Sequence, residues 1–293
     1  MEDLAKVSVI IPAYNRSDYI DQTIRSVLEQ TYLRVELIVI DDGSTDGTYE
    51  KVKSYGDKLT LLTHENHANR GQSAAINLGM AKANGKYIAI LDSDDYWNLN
   101  KLEIQVDYLE NHPDVGLVYS NGHAVDANGQ KLYPIYTDLH VEHNEPDRVL
   151  LDCYILLPQN SLVRKDVYDQ LEGFNEGYRA AQDHDMLIRI SEKTNFAYLP
   201  VKLFYYRVHD DSISKKGQRT RWTNGFKILE NAKNRYSYKS STIRKRKALL
   251  NYRIGICCIA EKKRMKFVSH MLAAFFLDPV RAIRVVIGLE RRS

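Results

Sequence analysis

The chain has 293 residues, of which 44% are hydrophobic and 27% charged, with a formal net charge of +3. That length suits one large α/β domain or two smaller ones with a sizeable core, and the composition excludes a disordered or collagen-like chain. No run reaches the roughly 18 apolar residues of a membrane span, and the start Met1-Glu2-Asp3 with its short first apolar run predicts no secretion signal.

Val7 to Ile11 reads as a buried strand, and Asp18 to Glu29 as a helix with Ile20, Ile24, Val27 and Leu28 on one face. Val35 to Ile40 is a second strand, ending in Asp41-Asp42-Gly43-Ser44, and a helix follows from about Asp46 to Tyr55. Leu59 to Thr63 is a third strand, and Ser73 to Ala83 is a helix stopped by Asn84-Gly85. Tyr87 to Leu91 is a fourth strand, Lys101 to Asn111 a helix and Val115 to Tyr119 another strand. Strands alternating with helices predict a mostly parallel sheet flanked by helices. In such sheets ligands bind beyond the carboxyl ends of the strands. Three polar segments fall there: Pro12-Ala13-Tyr14-Asn15, Asp41 to Ser44, and Asp92-Ser93-Asp94-Asp95.

After Ser120 the alternation fades. Asn128-Gly129 signals a hairpin, residues 136–160 are irregular, Asp183 to Glu192 is a helix, and Leu203 to Val208 is a strand leading to His209. Beyond Asp211 the pattern is helical and basic. Residues 1–210 hold 20 Lys+Arg against 33 Asp+Glu, a net −13, while residues 211–293 hold 21 against 5, a net +16. The break predicts two regions, 1–210 and 211–293, with different partners. The three cysteines, Cys153, Cys257 and Cys258, lack metal-type spacing and read as free thiols in a reducing cytosol.

Three carboxylates crowded at one strand end repel each other unless positive charge sits among them. Asp92, Asp94 and Asp95 therefore read either as a divalent-cation site with oxygen ligands or as a polar turn capping the next helix. No G-x-G-x-x-G or P-loop follows the first strand. If the ligand carries phosphate, a metal has to supply the positive charge.

The segments Val7 to Asn15, Ile40 to Thr48 (Ile-Asp-Asp-Gly-Ser-Thr-Asp-Gly-Thr), Ile76 to Gly79 and Leu91 to Asp95, in that order, resemble the family-2 glycosyltransferases with their GT-A fold. The likeness continues more loosely through Gly173 to Glu176, Gln182 to Met186 and Tyr206 to His209, and covers roughly residues 5–215. It implies an inverting, metal-dependent transfer of sugar from a nucleotide-diphosphate donor, UDP-linked, to a hydroxyl acceptor that is a saccharide or lipid-linked. By the same resemblance Pro12, Ala13, Tyr14 and Asn15 line base and ribose, with Tyr14 offering a ring for stacking. Asp42 accepts a hydrogen bond from the base and Asp41 supports the loop. Asp92 faces the ribose, Asp94 binds Mn2+ or Mg2+, and Asp95 supports. His209 stands at a metal or phosphate contact, and an imidazole suits Mn2+ better than Mg2+. Asp183 matches the family's base; as residues alone it also reads as a helix cap. Arg207 reads equally as a phosphate contact or an Asp partner, and Trp97 as a sugar platform or core packing.

Two positions depart from the family pattern. Gln182 stands where Glu is usual before the base, and Ile76 where Arg often precedes Asn77, so that Arg70 is the nearest substitute charge. A non-catalytic nucleotide-sugar-binding protein and a sugar nucleotidyltransferase are the alternatives; the latter normally has a Gly- and basic-rich loop after its first strand, missing here.

The tail carries Lys245-Arg246-Lys247, Lys262-Lys263-Arg264 and Arg291-Arg292, with an apolar run at Met271 to Phe276 and alternation from Val280 to Leu289. This reads as amphipathic helices on an anionic membrane surface or as a packed helical subdomain with solvated charges. No nucleic-acid motif is present, so no nucleic-acid partner is expected. The expected location is cytoplasmic, peripheral on the inner membrane face.

Overall fold

Val7–Ala13 forms strand β1, and all seven of its residues are buried. A strand buried on both faces reads as a continuous apolar run rather than an alternating one, which is what this segment supplies. It is followed by helix α1 (Ile20–Leu28), strand β2 (Val35–Asp41), helix α2 (Thr48–Lys53), strand β3 (Thr60–Thr63), helix α3 (Gln72–Lys82) and strand β4 (Tyr87–Ile90). Then come β5 (Tyr96–Trp97), α4 (Lys101–Asn111), β6 (Val115–Val125), β7 (Lys131–Pro134), α5 (Pro146–Leu151), α6 (Leu157–Asn160), β8 (Ser161–Arg164), α7 (Lys165–Asp169), α8 (Gln182–Ser191) and β9 (Asn195–Arg207). The computed structural model describes residues 4–209 and 217–286.

The strands make one sheet of order β3-β2-β1-β4-β8-β6-β9-β5, with β7 on β6. Its first part is parallel: Val7 pairs with Val35 on one side and Tyr87 on the other, and Ile38 with Thr60. Beyond β4 the sheet becomes mixed, because the short β8 enters antiparallel to both β4 and β6. The expectation of a mostly parallel sheet thus describes the first four strands, and the second half adds antiparallel pairs. Apolar side chains of α1 and α4, among them Ile20, Ile24, Leu102 and Leu109, pack with Val9, Ile11 and Val39 in one core.

β6 is longer than its apolar stretch. Its polar residues Ser120 and Asn121 are buried, with the Asn121 side chain bonded to the Tyr136 backbone in both directions. Next to them Gly122 lets β9 approach: a Cβ there would lie 2.5 Å from the Phe204 ring. β9 likewise starts earlier than its apolar signal. Pro200 falls at a register shift, where Ser120 pairs with Leu199 but Asn121 with Lys202, so the missing N–H interrupts no ladder bond.

Contacts divide the chain into one unit of Met1–Asn144 with Ile155–Asp210 and a second of Glu145–Tyr154 with Asp211–Ser293. Residues 145–154, expected with the first region, therefore fall in the second. Its helices after α5 are Gln218–Arg235, Ser240–Ala260, Arg264–Leu277 and Pro279–Val286. The buried Arg246 guanidinium bonds the Leu151 carbonyl, and Lys239 N bonds the Asp147 carboxylate, which ties α5 into this unit. No described helix is long and apolar enough to cross a membrane. Arg291, Arg292 and the end of the Val280 to Leu289 alternation lie outside the described residues.

Candidate active site

β1, β2 and β4 run parallel, so the segments after them meet at one edge. Asp42 N donates to Ala13 O (2.8 Å) and Leu91 N to Ile10 O (3.0 Å). Two loops are laced together there. Asn15 N donates to Ser44 Oγ (3.0 Å), Asn15 Oδ1 accepts from Thr45 N (2.8 Å), and Arg16 N donates to Thr48 Oγ1 (2.8 Å). Asn15 takes φ +50°, a conformation Asn tolerates better than most residues. Pro12 and Ala13 are buried, while Tyr14 is 46% exposed.

Asp42 is 3% exposed and its carboxylate is engaged: Oδ1 accepts from Arg70 N and Oδ2 from Gly71 N, both at 2.8 Å, with His64 Nε2 3.5 Å from Oδ1. The expected base acceptor thus also fastens the loop before α3. Gly43, at φ +79°, makes this possible, since a Cβ there would stand 2.5 Å from His67 O. Asp41 is fully buried and accepts from Ser44 N (3.1 Å).

The three carboxylates of the acidic cluster have different surroundings. Asp94 Oδ2 lies 2.9 Å from Arg16 Nε and 3.0 Å from His209 Nε2. Burial pushes Asp94 upward, but the hydrogen bond from His209 and the Arg16 charge hold it below the usual carboxylate range. Asp95 Oδ1 accepts from Arg207 N (2.7 Å), while the buried Oδ2 has no partner among the described residues. Burial and the neighbouring charges of Asp94 and Asp92 push Asp95 well up. Asp92 Oδ1 accepts from Gln72 Nε2 (2.6 Å) and Oδ2 from Gln159 Nε2. Burial, with the charges of Asp94 and Asp183, pushes Asp92 up to about 7.

Asp183 sits half-buried in the first turn of α8, preceded by Ala181 at φ +66°. Gln182 Nε2 donates to Gln72 Oε1 (2.6 Å), so a chain of amides links the residue beside Asp183 to Asp92. Neutral amides suit this place: a carboxylate at 182 would face the acceptor oxygen of Gln72 and add charge beside Asp92.

Several residues prove structural. Arg207 is 3% exposed, and its guanidinium bonds Asp94 O, Ala127 O and Gln22 Oε1 while lying 4.7 Å over the Tyr19 ring. It clamps the cluster's backbone instead of reaching outward for a phosphate. Trp97 is 3% exposed, with its indole N–H donating to Gln159 O (2.8 Å), which makes it core and excludes it as a sugar platform. Ile76 is buried; Arg70 is exposed and lies 3.7 Å from Glu176.

Arg16, Gln72 and Gln159 carried no signal in the sequence, because a single polar residue in a loop or at a helix end looks like any solvated one. Their position beside the carboxylates is visible only in three dimensions. Among the described residues no group of three or more His, Cys, Asp and Glu side chains is placed to hold a metal ion. Asp94 and His209 do meet at one point. A carboxylate oxygen and an imidazole nitrogen are a donor set that fits Mn2+ and, less well, Mg2+; the buried Asp95 Oδ2, which has no hydrogen-bond partner among the described residues, is a further oxygen near them. The remaining ligands would have to come from water or a bound diphosphate.

The sequence matches the model of glycosyl transferase family 2 over residues 8–172, more than half of the chain. An uncharacterized glycosyltransferase of Rickettsia bellii is 34% identical over 210 residues, 72% of this chain and 30% of that protein. The chondroitin synthase of Escherichia coli is 29% identical over 239 residues, 80% of this chain and 33% of that protein. The chain thus spans about a third of the length of these relatives. Among solved structures, S. aureus TarS 1-349 in complex with UDP-GlcNAc superposes with a TM-score of 0.70 at 19% identity, covering 94% of this chain and 82% of that one. The mannosyltransferase PcManGT from Pyrobaculum calidifontis, in complex with GDP-Man and Mn2+, gives 0.64 at 17% identity, covering 98% and 80%. At these identities the likeness establishes the shared GT-A type fold.

Proposed function

The chain belongs to glycosyl transferase family 2, and from that premise we propose that it is an inverting, metal-dependent transferase. It moves one sugar from a UDP-linked donor to a hydroxyl of a saccharide or lipid-linked acceptor, in the synthesis of a polysaccharide or glycoconjugate. The observation that carries this reading is the meeting of Asp94 and His209, 3.0 Å apart, beyond the strand ends, with Asp92 tied through Gln72 to the residue beside Asp183.

Pro12 to Asn15 and the Asp42 loop frame the nucleotide, with the Tyr14 ring available to the base. Asp92 faces the ribose. Asp94 and His209 would hold the divalent cation, Mn2+ or Mg2+, which when bound offsets the charge developing on the departing diphosphate. Asp183 takes the proton from the acceptor hydroxyl as that oxygen attacks the anomeric carbon from the face opposite the leaving group. That TarS was solved with UDP-GlcNAc and PcManGT with GDP-Man and Mn2+ supports a nucleotide-sugar donor of this kind.

The test is a screen of UDP- and GDP-sugars measuring nucleotide release with Mn2+ and Mg2+ compared. Asp183→Asn is expected to lower turnover by about 10²–10⁴-fold while donor binding stays intact. Full activity in that variant would remove Asp183 as base. Donor binding by the wild type without release or transfer from any donor would favour a non-catalytic binding protein.

A further inference from the structure

Helix Arg264–Leu277 has more apolar surface than its own unit covers. One face is packed: the Cβ that Gly255 lacks would meet Met271 Cε at 2.4 Å and lie near His270 and Phe267, and Ala274 is buried. His270 Nδ1 is 2.9 Å from Asn251 Oδ1 on the same neighbouring helix. The opposite face is also apolar and stays open: Met265 is 83% exposed, Leu272 53% and Phe276 77%, with Val268 and Phe275 beside them. Their spacing of three, four and seven residues makes one stripe along the helix. After Asp278, Val280 and Ile283 extend the exposed apolar surface onto Pro279–Val286.

The charge around this stripe is predominantly positive. Lys262, Lys263, Arg264, Lys266, Arg281 and Arg284 lie between residues 262 and 286, where the one acid is Asp278, which is buried; just before them Glu261 pairs with Lys263 at 2.6 Å, which leaves the other five cations in excess. Contiguous exposed apolar surface rimmed by charge marks an interaction site. The sustained excess of cations calls for a partner that is anionic over a plane and apolar beneath it.

We propose that the exposed face of Arg264–Leu277, continued by Val280 and Ile283, lies on an anionic lipid bilayer, with its apolar side chains in the acyl boundary and the flanking Lys and Arg among the headgroups. Bringing the enzyme to a lipid surface would favour acceptors that reside there, but the inference stands apart from the transferase reading.

The test is co-sedimentation of the full chain with vesicles of phosphatidylcholine alone or mixed with phosphatidylglycerol. Wild type is expected to bind the mixed vesicles and to lose binding as salt rises. Leu272→Glu with Phe276→Glu should lower binding at least tenfold, because it puts charge where acyl chains are required. Arg264→Glu with Lys266→Glu should lower binding to mixed vesicles by roughly tenfold or more, at about fivefold per cation removed. All four side chains are exposed, so circular dichroism and nucleotide release with soluble substrates should match wild type. Equal binding by wild type and both variants would overturn the proposal. So would failure of wild type to bind, including the case in which sedimentation shows a dimer that Leu272→Glu dissociates, which would assign the stripe to a second copy. Nucleotide release in the same samples reports on the transferase reading separately.

Discussion

Asp94 Oδ2 lies 3.0 Å from His209 Nε2, although 115 residues separate the two along the chain. One side chain follows β4 and the other follows β9, so the pair forms only when both halves of the sheet are assembled. If the pair holds the cation, His209→Ala should weaken Mn2+-dependent UDP binding by about 10–100-fold, the range for loss of a group that supports a metal. Asp94→Asn should weaken it at least as much. Titration calorimetry of UDP with Mn2+ and with EDTA decides this: equal affinity in the two buffers would remove the metal role of Asp94.

The Asp42 loop offers a second prediction. Asp42 receives two backbone amides from residues 70 and 71, across a turn that needs Gly43 at φ +79°. Gly43→Ala combines an unfavourable backbone conformation with a Cβ 2.5 Å from a carbonyl oxygen. The expected cost is about 1–3 kcal/mol, together with a higher donor KM, because the same loop borders the nucleotide site. Urea denaturation and donor titration of the variant check both parts.

How much of this arrangement the sequence reveals depends on how local each signal is. Val7 to Ile11 and Val35 to Ile40 announce buried parallel strands by unbroken apolar runs, and with them the edge where three polar segments meet. Antiparallel β8 is four residues long and bears no turn signal, so the mixed half of the sheet stays hidden. Pro200 masks the first half of β9 for the reason that makes it tolerable there: it occupies a register shift. Within the site the carboxylates stand out by type and clustering. Gln72, Gln159 and Arg16 do not, since their roles come entirely from facing Asp92 and Asp94. His209 is legible only through the family resemblance, since no spacing rule joins it to Asp94.

Arg207 provides a third prediction. Its buried guanidinium makes four hydrogen bonds, to Asp94 O, Asp126 O, Ala127 O and Gln22 Oε1, and its N–H bonds Asp95 Oδ1. Arg207→Met keeps the backbone bond and much of the packing over Tyr19, but leaves Asp94 O, Asp126 O, Ala127 O and Gln22 Oε1 without this donor. Gln22 and Ala127 are exposed, so water can replace the donor there, and the expected loss in urea denaturation is about 1–3 kcal/mol, the cost of one buried group left unpaired. Destabilisation within 0.5 kcal/mol of zero, about what a surface substitution produces, together with weaker nucleotide binding, would instead support a phosphate contact.

Lys101 gives the fourth. It is fully buried on α4, with Nζ 2.7 Å from Gln105 Oε1, 3.3 Å from Ser161 O and 4.0 Å from the centre of the Trp97 ring. None of these partners is anionic. Burial therefore drives its pKa well below the usual lysine range. The sign follows from proton counting. Between the folded and unfolded pKa values the unfolded chain holds a proton that the folded chain has released, so stability rises with pH through that window, up to about 10.4 where the unfolded lysine also titrates. Lys101→Met fills a similar volume and carries no charge, so it should flatten this rise. Urea midpoints of wild type and variant at intervals from about pH 7 to 10 measure the difference. Parallel curves would mean that Lys101 keeps its proton in the fold, held by the Trp97 face and the two oxygens alone.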